Sequence, residues 1–194
     1  MSDDDWTVTD RNESGWRSFL GRVWHMTWPD PARQIIESGQ IIGSSGDRPF
    51  SMPQTSNSYA LRHGYVALFD FRDAELRLVE DEAMKWSQYF WGEPYRVGFS
   101  VDVTRLGTDL IPWHVAKSDP NPSMWIPYFE AWSSKPVPLS AISAVCITVA
   151  GIVVSRTLSS PSEWRALGMQ LDGIGLSILR MIEEAEIQAR ANGD

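Results

Sequence analysis

The stretch Trp125-Ile126-Pro127-Tyr128-Phe129-Glu130-Ala131-Trp132, followed after two serines by Lys135-Pro136-Val137-Pro138-Leu139-Ser140-Ala141-Ile142, decides how this chain is read. The first part is aromatic and apolar apart from one carboxylate, and predicts a strand over 125–132. A lone carboxylate in a buried aromatic strand is costly unless it is paired or put to use. The alternative is an edge-strand glutamate facing water. The second part opens the longest uncharged run, 136–155. A membrane-spanning helix needs about 20 predominantly apolar residues. Here Pro136 and Pro138 open the run, and Ser140, Ser143 and Thr148 interrupt it. The remainder is rich in Val and Ile, which predicts a buried strand over 145–149, a bend at Gly151 and a further short strand, with no membrane span.

Upstream, residues 95–103 alternate, with Val97, Phe99, Val101 and Val103 on one face of a strand. Residues 65–71 read as a buried strand and 22–27 as a short one. Between these two lies Asp30-Pro31-Ala32-Arg33-Gln34-Ile35-Ile36-Glu37-Ser38-Gly39. Asp30 suits an N-cap, Pro31 the first helical position and Gly39 the residue after the helix. Residues 43–64 are rich in Gly, Ser, Pro and Asn and read as a long loop, 117–124 as a second loop, and 73–91 as an irregular helix. Near the C-terminus, Ser160-Pro161-Ser162-Glu163 forms a capping box. Apolar residues from Trp164 to Ala185 then recur every three or four positions, predicting an amphipathic helix over about 161–191. Within it, Gly168, Gly173 and Gly175 weaken the helix or admit a close neighbour.

The 194 residues suit one domain, and 43% hydrophobic with 22% charged residues excludes wholesale disorder. The net charge of −8 is concentrated at the ends. Residues 1–14 hold five acids and one arginine (−4), and 181–194 hold four acids and one arginine (−3), leaving a nearly neutral body. An acidic flexible leader over 1–14 and a single domain over 15–194 follow. A strongly basic nucleic-acid footprint is absent from these totals. One cysteine, Cys146, and an acidic start, Met1-Ser2-Asp3-Asp4-Asp5, predict a reducing, cytoplasmic setting. Ten tryptophans are the unusual number, and several are expected to line a cleft or an interface. His25, His63 and His114 stand far apart and form no metal-binding pair, so no metal site is expected. Phosphate-loop, dinucleotide and nucleophile-elbow motifs are absent.

Four pieces remain: Trp24-His25-Met26-Thr27, Arg62-His63-Gly64-Tyr65, the tract around Glu130, and the Pro-Val-Pro-Leu segment after it. Their order is H-x-T, a short helix running into G-x-I, a loop, G-Y-V-x-L-F, then E-x-W and P-x-P-L-x-x-I. It resembles the ADP-ribosyltransferase superfamily, and within it the DarT-like toxins, over roughly residues 22–149. The resemblance implies an α+β fold with a split, twisted two-sheet core, flanking helices and a C-terminal helix, with NAD⁺ as co-substrate in the cleft. It implies that Glu130 is the catalytic carboxylate. It also implies that His25 contacts the ribose or carboxamide, with Thr27 close by, that Tyr65 or a neighbouring aromatic stacks on nicotinamide, and that a loop arginine, Arg62 first and Arg48 second, meets a phosphate.

By the same analogy the protein is a bacterial toxin or phage-defence effector that modifies a nucleic acid, single-stranded DNA or RNA being favoured, and an antitoxin or immunity partner could accompany it. A protein acceptor is one alternative. Another is a catalytically silent, transferase-like module that binds a partner through its acidic leader and C-terminal helix. The chain has no R-S-E pattern of the arginine-modifying branch. In the expected chemistry, Glu130 stabilises oxocarbenium character on the ribose while Trp125 and Trp132 exclude water.

Overall fold

The structure, a computed structural model, describes residues 6–8, 15–43, 57–91, 95–121, 123–149 and 151–191, without the side chains of 83, 84, 181–183 and 185–191. The elements in chain order are β1 (Thr7–Val8), β2 (Val23–Thr27), α1 (Pro29–Ser38), β3 (Gln40–Ile41), α2 (Tyr59–His63), β4 (Val66–Asp70), α3 (Leu76–Leu78), β5 (Arg96–Val101), β6 (Ile111–Pro112), β7 (Glu130–Ser133), β8 (Val137–Pro138), β9 (Ile142–Val149), β10 (Ile152–Thr157) and α4 (Pro161–Ala191). The fold is α+β. One antiparallel sheet of eight strands runs β1-β10-β9-β5-β2-β4-β7-β6, and β3 pairs with β8 in a small second sheet. Within the large sheet, β2 and β4 pair over only two positions, Val23↔Asp70 and Trp24↔Phe69.

Cross-strand partners share a face, and neighbours along a strand do not. Val23, Val97, Phe99, Val101, Val145 and Ile147 therefore lie on one face, packed with residues of α1 and α4. Trp24, Met26, Phe69 and Cys146 lie on the other, beneath Trp16, Phe19, Phe71 and Phe90. Covering both faces explains why β9 reads as a continuous apolar run and not as an alternation. Among the described residues, no helix is long and apolar enough to cross a membrane.

Several boundaries differ from the sequence reading. Helix α1 starts one turn position early: Pro29 opens it, Trp28 is the N-cap, and Asp30 lies inside the first turn. Either proline could take the first position, because neither has an N–H to lose. Gly39 caps the end as expected, at φ 77° with its N–H donated to the Ile35 carbonyl. The strand expected over 125–132 is confined to Glu130–Ser133. Pro127 cannot donate to a ladder, and Tyr128 takes φ 72°, so 127–129 form a turn and 125–126 are irregular. In the predicted strand over 95–103, Val103 falls in a 3-10 turn. Of the expected leader, Thr7 and Val8 pair with Ser155 and Val154 of β10, so this part is tied to the sheet edge, while 1–5 and 9–14 lie outside the described residues. Part of the predicted loop 43–64 is α2, capped by the Ser58 hydroxyl.

Helix α4 carries its capping box as read. Glu163 Oε2 accepts from the Ser160 N–H at 2.8 Å, and the Ser160 hydroxyl accepts from the Glu163 N–H at 3.3 Å. Two of its glycines differ in what surrounds them. A Cβ on Gly175 would sit 2.3 Å from the Tyr95 ring, whereas one on Gly173 would meet nothing within 4 Å. Gly175→Ala is expected to destabilise by about 1–3 kcal/mol, since a rigid ring must move. Gly173→Ala should stabilise by about 0.5–1 kcal/mol through helix propensity. Urea denaturation of the two variants checks the opposite signs.

Candidate functional site

The gap between β2 and β4 opens into a cleft of about 1120 Å³. Its wall runs from α1 and the Asp172–Leu176 part of α4, past His25 and Thr27 on β2, to Ser58, Leu61 and Tyr65 around α2. Pockets for drug-sized ligands span roughly 300–1,000 Å³, so a dinucleotide has room here. Three predicted residues, His25, Thr27 and Tyr65, line this cleft.

His25 is partly buried, and its Nδ1 lies 2.9 Å from the Ala67 carbonyl. A carbonyl only accepts, so Nδ1 carries the hydrogen and Nε2 is left as an acceptor. Burial lowers the imidazole pKa, outweighing the opposing effect of the Ala67 bond, so the ring is neutral at pH 7. Thr27 is 2% exposed at the cleft wall. The Tyr65 ring stacks on His63 with centroids 5.2 Å apart.

The structure does not bring the remaining predicted residues to this wall. Glu130 pairs with Phe69, which puts its side chain on the sheet face opposite His25. It does not face water either: it is 7% exposed. Glu130 Oε2 accepts from the Ile126 N–H at 2.5 Å, and Oε1 accepts from the Trp132 indole at 2.9 Å. Burial nevertheless raises its pKa to about 7 against these two donors. The turn over it holds Tyr128, which alone among the described non-glycine residues has positive φ. Such backbone strain is typical of functional sites. Trp132 is fully buried in a cluster with Tyr59 and Ala60, and Ala60 also lines the cleft. The carboxylate does not line the cleft, and its link to the wall runs through Trp132, which packs with Ala60.

Arg62 is exposed on α2 and does not line the cleft, and Arg48 lies outside the described residues. Among the described residues, no lysine or arginine lines the cleft. Two acids do, Asp30 and Asp172, and Arg33 bridges them. Pro29 and Pro31 leave the first turn of α1 short of N–H donors, so this helix start is a poor phosphate cradle.

Sequence reading missed two parts of the site. Tyr95 joins the cleft wall, its hydroxyl donating to Asp172 at 3.2 Å. Trp28, also in the wall, carries the guanidinium of Arg96 on its ring at 3.5 Å. The alternation places Val97, Phe99, Val101 and Val103 on one face and assigns Arg96 no role. Among the described residues, no group of three or more His, Cys, Asp or Glu is arranged to hold a metal. Compared with protein-family models, curated proteins and solved structures, the chain matches none.

Proposed function

We propose that this protein is an NAD⁺-dependent ADP-ribosyltransferase, a bacterial toxin or phage-defence effector whose acceptor is a single-stranded nucleic acid. One observation carries the reading. His25, Tyr65 and Glu130 belong to three successive strands of one sheet, at or beside β2, β4 and β7, where β2 and β4 part over a large cleft. The neutral His25 would accept, through Nε2, a hydrogen bond from a ribose hydroxyl or the carboxamide. Tyr65 would stack on the nicotinamide. The phosphate contact has no described cation in the wall, and Arg48 is the residue the reading leaves for it.

Bound NAD⁺ would supply the ADP-ribosyl group, nicotinamide leaving with the electron pair of its bond to the ribose. Glu130 would steady the developing sugar cation and take the proton of the attacking acceptor. A carboxyl with pKa near 7 suits that exchange. For this the register of β7 must change, because Glu130 and His25 lie on opposite faces of the sheet. Tyr128, half exposed and 5.4 Å from Trp113, offers ring faces on which unpaired bases can stack.

A second reading, the catalytically silent partner-binding module, is favoured by the burial of Glu130 against Trp132. Mass spectrometry of NAD⁺ incubated with the protein and single-stranded DNA, RNA or lysate separates the two. A gain of one ADP-ribose unit on the nucleic acid is expected. A gain on protein moves the acceptor, and intact NAD⁺ with a stoichiometric complex leaves the silent module. His25→Ala should weaken NAD⁺ binding about tenfold by calorimetry, the worth of one hydrogen bond of about 1.4 kcal/mol. Unchanged affinity would remove His25 from the site.

A further inference from the structure

The sequence reading left His63 without a task, and the structure sets it directly behind Tyr65. Its ring forms a triangle with two tyrosines, 5.2 Å from Tyr65 and 4.3 Å from Tyr59 by centroids. Those two tyrosines are themselves 6.2 Å apart and tilted by 56°, and the imidazole, tilted by 21° to Tyr65 and 40° to Tyr59, closes the wedge between their planes. Its orientation in the ring plane is set by Asp119, whose Oδ2 lies 3.0 Å from His63 Nε2. Asp119 is anchored in turn, because its Oδ1 accepts from the Asn121 N–H at 2.8 Å. That backbone bond, helped by His63, lowers the Asp119 pKa and keeps the carboxylate ionised. Below the wedge, Tyr59 is 6% exposed and packs on the buried Trp132 at 4.4 Å.

We propose that His63, oriented by Asp119, is a positioning residue: it shims the Tyr65 ring against the buried Tyr59–Trp132 floor so that Tyr65 presents a fixed face to a flat aromatic ring in the cleft. The inference rests on the NAD⁺ reading for the identity of that ring, the nicotinamide, but not for the shim itself. An exposed His–Asp pair contributes little to stability. Its effect here is geometric, since a side chain already held from behind loses less freedom when a ligand stacks on its open face. Stacking is the property that matters, so a flat apolar ring at position 63 can replace the imidazole, whereas a small or non-planar side chain cannot.

The test has two readouts. In ligand-free protein, the Tyr65 ring resonances are followed by NMR, assigned through Tyr65→Phe. His63→Ala should shift them and His63→Phe should restore them. In calorimetry, His63→Ala should weaken nicotinamide mononucleotide about fivefold, as expected for one aromatic pair. It should leave ADP-ribose, which lacks the nicotinamide ring, unchanged, and His63→Phe should recover the loss. Asp119→Asn should fall between wild type and His63→Ala. Unmoved Tyr65 resonances in His63→Ala, or equal losses for both nucleotides, would overturn the proposal. If the wild-type protein binds neither nucleotide, the NAD⁺ reading fails and the resonances alone decide the shim.

Discussion

Glu130→Gln is expected to reduce ADP-ribose transfer by about 10²-fold or more, the typical loss when a group stabilising transition-state charge is removed. Glutamine keeps the shape but carries no charge, and its single carbonyl oxygen can serve only one of the two donors, Ile126 N–H and the Trp132 indole. Transfer is read by mass spectrometry of the acceptor, and wild-type rates in the variant would remove Glu130 from the chemistry. The same pair of proteins tests the electrostatics without any substrate. The folded carboxyl loses its proton at about 7, and the unfolded one near 4.5. Between these values the folded protein holds a proton that the unfolded chain has released, so Glu130 favours the fold at low pH. That advantage is lost as pH rises from about 4.5 through 7, by about 3 kcal/mol in all. Glutamine does not titrate. Urea denaturation at pH 5 and pH 8 should therefore show the stability difference moving in favour of Glu130→Gln at the higher pH. A difference independent of pH would mean that Glu130 is already ionised in its cage.

Trp132→Ala should cost about 3–5 kcal/mol of stability, the usual loss for a large aromatic truncated in a core. The side chain is fully buried, packs on Tyr59 at 4.4 Å, and supplies one of the two hydrogen bonds of Glu130. For a domain with a net stability of about 5–15 kcal/mol, that is a large share of the total. Trp132→Phe separates the two roles. It keeps most of the packing and loses the N–H, so the Glu130 carboxyl should rise further above about 7, since the indole bond is one of the contributions lowering it. The checks are the urea midpoint of each variant and the pH midpoint of the stability profile. A Trp132→Phe profile lying at lower pH than wild type would contradict the hydrogen bond.

The tract around Glu130 is where sequence pattern and structure differ most. The solitary carboxylate among aromatic residues was legible, and so was its cost. The donors that offset that cost lie within four residues, at Ile126 and Trp132, yet nothing in the residue types says that the chain turns back at Pro127 and Tyr128 to bring a backbone N–H onto Oε2. A period-2 pattern describes a strand only while the backbone stays extended, and one positive φ ends it. His25 and Tyr65 were legible through the resemblance and line the cleft. Arg62 was assigned from the same kind of pattern and lies outside: Tyr65, past the Gly64 cap of α2, lines the cleft, while Arg62 on α2 is exposed.

Alone, the sequence determined the elements whose causes are local. The capping box at Ser160 and Glu163, the left-handed Gly39, and the Val- and Ile-rich run that becomes β9 and β10 each depend on neighbours a few positions away. Only the tertiary structure decided on which face of the sheet each side chain lies, where β2 and β4 stop pairing, and hence that His25 faces the cleft while Glu130 is held by Trp132. Strand register sets those outcomes: a shift of one residue exchanges the two faces, and register is fixed by packing between segments far apart in the chain.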